Sequence, residues 1–214
     1  MSLLPSLTTD SIVQAAEWLK KGYLLTYPTE SVWGIGCDPF NERAVKQLLA
    51  IKQRPVAKGM IVVTDSATRI APLLALLQPE RRQDILDSWT VSSNAITKQA
   101  HTWLLPLPDA LEIPIPPWIT GAHNSVAVRV IAHPLIQKLC REVVSASNPY
   151  GFIVSTSCNP SGQSPAVSLK EAQHYFAHST PEQGVNPVTY LQGEVIGYSL
   201  PSQIRDALTG SIIR

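Results

Sequence analysis

Cysteine is scarce in this chain, and what there is does not pair. Cys37, Cys140 and Cys158 are an odd number with no short spacing between them, which argues against both a disulfide framework and a zinc site. Surplus charge is missing too. Seventeen Lys and Arg stand against sixteen Asp and Glu, so there is no global nucleic-acid signature, and any weak RNA binding has to come from a local patch. No apolar run approaches the length that spans a bilayer, and the stretch around Pro5, Thr8, Thr9 and Asp10 lacks a basic segment followed by an apolar one. A cytoplasmic protein with no membrane association is expected. The five histidines do not cluster with acidic residues at ligand spacing, so no metal ligands and no histidine catalysis are assigned.

What is present is a chain able to bury a core. At 214 residues and 44% hydrophobic content it matches one domain of ordinary size, 1–214, with no internal repeat and no linker rich enough to divide it. Helical and strand-like patterns alternate. Helices are expected with Ile12, Val13, Ala16 and Leu19 inward, capped by Thr9 or Asp10 and ended near Gly22, and over 41–51, 73–77, 134–143 and 169–177. Ser168 and Glu171 have capping-box spacing for the last of these, and His133 reads as a helix-opening residue. Strands are expected at 23–27, 60–63, 103–105, 126–130 and 152–154, with Pro28 stopping the first and Gly34 and Gly36 permitting a tight loop close to a ligand. The alternation indicates an α/β fold with a twisted mixed sheet flanked by helices. Cys37 and Cys158 read as small buried hydrophobes.

Two segments carry chemistry. Lys52-Gln53-Arg54-Pro55, with Lys58-Gly59 behind it, packs three cations into seven positions. Such a group suits a polyphosphate, because Arg donates in a bidentate fork and Lys supplies a point charge. Cations after a helix also interact with its dipole, which accounts for Lys52 but not for Lys58 beyond Pro55. The second segment, Ser155-Thr156-Ser157-Cys158-Asn159, is a run of hydroxyl and amide groups directly after an apolar strand. It reads either as turn formers or as a polar cradle at a strand's carboxyl end. Thr29, Glu30 and Ser31 follow Pro28 and form a substrate loop or an ordinary turn. Glu30 could orient a basic group, accept from a substrate ammonium, or face solvent. Arg129 lies on an otherwise apolar strand and needs a partner if buried, either a substrate carboxylate or a structural ion pair.

The order Tyr27-Pro28-Thr29-Glu30-Ser31-Val32-Trp33-Gly34, Lys52-Gln53-Arg54-Pro55, Lys58-Gly59, Ser125-Val126-Ala127-Val128-Arg129, Ser155 to Asn159 and Pro201-Ser202-Gln203-Ile204-Arg205 resembles the YrdC/TsaC family of threonylcarbamoyl-AMP synthases over nearly the whole chain. The resemblance implies a YrdC-like α/β domain with an open concave site. It implies a reaction of L-threonine, bicarbonate or carbon dioxide, and ATP, giving threonylcarbamoyl-adenylate and pyrophosphate for tRNA modification, with Mg²⁺ accompanying ATP and partner proteins completing the transfer. It places Lys52, Arg54, Lys58, Ser125, Ser157, Asn159 and Arg214 against ATP, with Lys52 and Arg54 catalytic. Ser31, Arg129, Ser155 and Ser202 would face threonine.

The chain departs from the family pattern at three places. Trp89 is followed by Thr90-Val91-Ser92-Ser93-Asn94 where Pro-Gly-Pro is usual, 145–151 forms an extension, and Cys158 stands at a usual alanine. The region Thr90 to Ala100 is expected to be a mobile loop. A different reading is a non-enzymatic RNA-binding module, to which Lys20, Lys21, Arg43 and Lys46 would contribute a basic face.

Overall fold

A computed structural model describes residues 7–90, 96, 98–176 and 186–214. After a short strand, β1 (Thr8–Thr9), helix α1 (Ile12–Lys20) starts at Ser11, whose Oγ accepts from Gln14 N. The cap is thus neither Thr9 nor Asp10, the two expected; Thr9 instead accepts from Ser11 N, and Val13, expected inward, is 58% exposed. Strands β2 (Leu24–Pro28) and β3 (Trp33–Gly36) form an antiparallel hairpin. Pro28 therefore belongs to its strand, paired with Trp33, and Gly34 and Gly36 lie in a strand rather than in the expected loop. The reason is steric. A Cβ at Gly36 would sit 1.8 Å from Val154 O, so only glycine lets these backbones approach.

Helix α2 (Glu42–Ile51) is capped by Asn41, whose side chain accepts from Ala44 N, and buries Ala44, Val45, Leu48 and Leu49 at helical spacing. Then come β4 (Ile61–Thr64), α3 (Ala71–Leu74), α4 (Pro79–Ser88), β5 (His101–Pro106), α5 (Pro117–Thr120), β6 (Ser125–Val130), α6 (Pro134–Glu142), β7 (Ile153–Val154), β8 (Thr156–Ser157), α7 (Leu169–Phe176), β9 (Val188–Leu191) and β10 (Gln203–Asp206). The helix expected over 73–77 is shorter and earlier. The unexpected α4, Pro-Glu-Arg-Arg-Gln-Asp-Ile-Leu-Asp-Ser, escapes a periodicity search because Ile85 is its only fully buried residue. At α7, Glu171 N donates to Ser168 Oγ and Glu171 Oε2 accepts from Val167 N, much as the capping-box spacing implied.

The fold is mixed α/β as expected, but its strands form two five-stranded sheets, ordered β1-β9-β2-β3-β8 and β10-β5-β6-β4-β7. The chain crosses between them at Ser155. Ser155 N donates to Ile61 O, while the next residue, Thr156, pairs with Ile35 of β3. One apolar cluster gathers Trp33, Leu48, Val62, Trp103, Val128 and Phe152, and a second packs α1 and α6 around Leu25, Tyr27 and Leu191.

The loop expected at Thr90 to Ala100 lies largely outside the described residues. Its two ends are joined. Trp89 Nε1 donates to His101 O at 2.9 Å and Trp103 Nε1 to Ser88 Oγ at 2.9 Å, tying α4 to β5. The extension at 145–151 is a compact turn, in which buried Asn148 bonds both N and O of Phe152. Among the described residues no helix is long and apolar enough to cross a membrane.

Candidate active site

A cleft of about 1030 Å³ opens between the sheets, walled by β3 on one side and by β4, β5, β6 and β10 on the other. Arg54, Lys58, Arg129 and Arg214 line it, together with Ser31, Ser125, Ser155, Ser157 and Ser202, and no Asp or Glu is among its described lining residues. These nine are sequence-expected site residues brought together from six separate segments. Lys52 and Asn159 are not in the lining.

The cationic wall begins where α2 ends. Gln53 adopts φ 46°, its N–H donates to Ala50 O, and Arg54 N donates to Leu49 O. This is a Schellman closure with Gln in the left-handed position that glycine usually takes. It reverses the chain so that Lys52 and Arg54 leave in different directions. Arg54 donates from Nε to Gly59 O at 3.0 Å and from Nη2 to Lys58 O at 3.1 Å. A guanidinium has five donors, so the rest of the fork is available to the cleft. Burial lowers the Arg54 pKa, and the nearby Arg214 charge lowers it further, as expected of two cations close together.

The turn carrying Lys58 is stitched to the one after α5. Met60 N donates to Ile119 O, Ala122 N donates to Ala57 O, and Gly59 and Gly121 adopt φ 60° and 65°. A Cβ at Gly121 would meet Ala57 O at 2.5 Å, so the contact demands glycine on both conformational and steric grounds. Arg214 arrives from the opposite edge, where the chain after β10 turns back: Ile213 N donates to Ile204 O and Ile204 N to Arg214 O, each at 2.8 Å.

Arg129 sits at the floor, on β6, with a side chain 11% exposed. Its Nη1 is 3.6 Å from Glu30 Oε2. Glu30 is buried, and its Oε1 accepts from Ala132 N at 2.9 Å. Of the alternatives open for Glu30, this geometry selects the orientation of a basic group. Tyr27 lies beneath, its hydroxyl pKa raised by burial and drawn back by a bond with the Ser155 side chain. The segment 196–198 crosses over this corner, Gly197 N and Tyr198 N both donating to Glu30 O at 2.9 Å, and it continues into Ser202. Tyr198, Thr120 and His123 also line the cleft. Sequence reasoning missed them because Thr120 ends a four-residue helix and Tyr198 and His123 sit on loops, none with a pattern that marks a wall.

A sequence profile of the Sua5/YciO/YrdC family, described as telomere recombination, matches residues 17–214. The chain belongs to this family. It is 66% identical, over all of both chains, to a protein of Psychrobacter arcticus named threonylcarbamoyl-AMP synthase. It is 48% identical to one of the same name from Acinetobacter baylyi, covering 96% of this chain and 97% of the other. Among solved structures, P. abyssi Sua5 complexed with L-threonine is similar with a TM-score of 0.68 and 27% identity, covering 91% of this chain and 50% of that one.

Within this Sua5/YciO/YrdC domain, Lys52 has a place its sequence position did not announce. Its ammonium donates to Ser157 O at 2.8 Å, Asn159 O at 2.7 Å and Asn159 Oδ1 at 2.9 Å. The amide of Asn159 donates in turn to Pro160 O and Gln163 O. Lys52 and Asn159 therefore clamp the 157–163 loop beneath Ser157, and neither presents a free group to the cleft. Burial lowers the Lys52 pKa, with opposing effects from Cys158, which raises it, and Arg54, which lowers it. Three oxygen acceptors on one ammonium nonetheless favour the charged form. Cys158 is fully buried beside it, its pKa pushed up by burial to about 12, so it is an inert filler as expected. The three described cysteines are all free.

Divalent-cation binding by the protein itself does not fit this site. No group of three or more His, Cys, Asp or Glu among the described residues could hold a metal, and Glu30 is committed to Ala132 and Arg129. Mg²⁺ entering with ATP would be held by phosphate oxygens.

Proposed function

We propose that this Sua5/YciO/YrdC protein makes threonylcarbamoyl-adenylate from L-threonine, bicarbonate or carbon dioxide, and ATP, releasing pyrophosphate. The observation that carries this reading is the composition of the cleft: Arg54, Lys58, Arg129 and Arg214 with a set of serines, and no Asp or Glu in the described lining. A relative covered over its whole length at 66% identity bears the matching name.

In this reading Arg54, Lys58 and Arg214 hold the polyphosphate and neutralise charge that moves onto pyrophosphate as it leaves. Ser125 and Ser157 face the nucleotide, and Lys52 with Asn159 fixes Ser157 rather than touching phosphate. Arg129 receives the threonine carboxylate, with Ser31, Ser155 and Ser202 around the rest of the amino acid. The threonine amine adds to carbon dioxide and releases a proton, giving a carbamate. A carbamate oxygen then attacks the α-phosphorus and pyrophosphate departs. Neither step needs a protein nucleophile, so positioning and charge neutralisation suffice. The product would pass its threonylcarbamoyl group to tRNA with help from partner proteins in the cytoplasm. The RNA-binding reading loses support at the surface, because Lys20 pairs with Glu17 at 3.4 Å and Lys46 with Glu42 at 2.7 Å on their own helices.

Incubation of the purified protein with ATP, Mg²⁺, bicarbonate and individual amino acids tests the reaction. Pyrophosphate release should require both threonine and bicarbonate. Serine, one methyl smaller, should be poorer by about 1 to 3 kcal/mol of transition-state binding. Equal pyrophosphate release with and without threonine would overturn the proposal.

A further inference from the structure

Glu30 lies behind the cleft wall and does not line the cavity. The residue is nonetheless fixed at its side chain and at its backbone. Oε1 accepts from Ala132 N at 2.9 Å, the residue's own carbonyl accepts from Gly197 N and Tyr198 N, and the side chain is 2% exposed. The residue is thus held at its backbone and at Oε1, and among the described residues the cation paired with it is Arg129, Nη1 at 3.6 Å from Oε2. Two buried atoms in this pair, Glu30 Oε2 and Arg129 Nε, make no hydrogen bond. Tyr198 lies near enough for the Glu30 charge to add to the effect of burial in raising its pKa.

An arginine on an apolar strand with no counter-charge would swing toward solvent or lose affinity for the floor of the cleft. A carboxylate locked behind it prevents both. We infer that Glu30 is the positioning residue for Arg129, aiming the outer edge of its guanidinium at the carboxylate of the amino-acid substrate. Glu30 holds Arg129 by charge at 3.6 Å without taking up its hydrogen-bond donors, so the amino acid is read by an arginine whose direction is set before binding. The Arg129 Nε–H is a donor that Glu30 leaves unused. This role deepens the proposed reaction and rests on Arg129 as the amino-acid anchor.

The test compares Glu30→Gln, Arg129→Gln and the double variant with L-threonine and with L-threoninol, which keeps the amine and hydroxyl but lacks the carboxylate. Glutamine at 30 can still accept from Ala132 N while removing the charge. Glu30→Gln should raise KM for threonine about ten- to a hundredfold, the scale of a misplaced binding group, with KM for ATP within about twofold. Its efficiency with threoninol should match the wild type. Adding Glu30→Gln to Arg129→Gln should cause no further loss with threonine. This comparison holds even if the single Glu30 variant folds poorly, because the double variant leaves no lone buried charge. An equal loss with threonine and threoninol, or an additive loss in the double variant, overturns the positioning role. Arg129→Gln with unchanged threonine KM overturns the amino-acid assignment as well, whereas a raised KM there beside a wild-type Glu30→Gln overturns the Glu30 role alone.

Discussion

Lys52 and Arg54 stand two positions apart, yet their charged groups have different work. The Lys52 ammonium is spent on oxygens of Ser157 and Asn159, while Arg54 divides its donors between the 58–59 turn and the cleft. Hydrogen bonds to a charged group contribute about 1.5 to 3 kcal/mol each. Lys52→Ala should therefore lower stability by at least about 1.5 kcal/mol and lose activity as Ser157 drifts. Arg54→Ala should lower ATP affinity about ten- to a hundredfold with a smaller stability loss. Chemical denaturation beside ATP calorimetry on both variants checks this. A Lys52→Ala protein as stable as the wild type would contradict the clamp. The cationic string was legible in the sequence, and the structure places Arg54 and Lys58 of it in the cleft. The diversion of one member was not, because it depends on carbonyl groups more than a hundred positions away that only the fold delivers.

At the scale of elements, glycine and its absence decide how two turns meet. Gly121→Ala places a Cβ 2.5 Å from Ala57 O in a backbone at φ 65°, and it should cost about 2 kcal/mol or more. The loss should be accompanied by weaker ATP binding, since the same stitch holds Lys58. At the end of α2 the reverse change is favourable. Gln53 pays for a left-handed conformation at φ 46°, so Gln53→Gly should raise stability by up to about 1 kcal/mol, read as an upward shift of the denaturation midpoint. Helices were the easier elements to read: α2 and α6 carry clean apolar periodicity and end within a residue or two of expectation. The short strands β8 and β10 and the Gly-rich β3 carry no alternation of their own, and their pairing partners define them.

Across the whole molecule, buried acids set the alkaline limit. Burial pushes the Cys158 thiol from 9.0 up to about 12 and the Tyr190 hydroxyl from 10.0 up to about 12. In the unfolded chain both ionise earlier, so between about pH 9 and about pH 12 the folded state holds more protons than the unfolded state. Stability is complete below about pH 9 and falls as pH rises through that window. Urea midpoints measured from about pH 8 to about pH 11 should decline steadily, and the decline should be shallower in Cys158→Ala. A flat profile in the wild type would show that these groups do not couple to folding.

Local chemistry in the sequence determined the α/β class, the main helices, the cationic string, the hydroxyl run and the isolated arginine on an apolar strand. Propensity, periodicity and residue type act over a few neighbours, and those features need nothing more. Tertiary structure decided the division into two sheets at Ser155, the capture of Lys52 by the 157–159 loop, the arrival of Arg214 beside Arg54 and the pairing of Glu30 with Arg129. Each of these joins groups far apart in the chain. Their geometry depends on which strands pair and how closely two backbones can pass, and no local pattern records that.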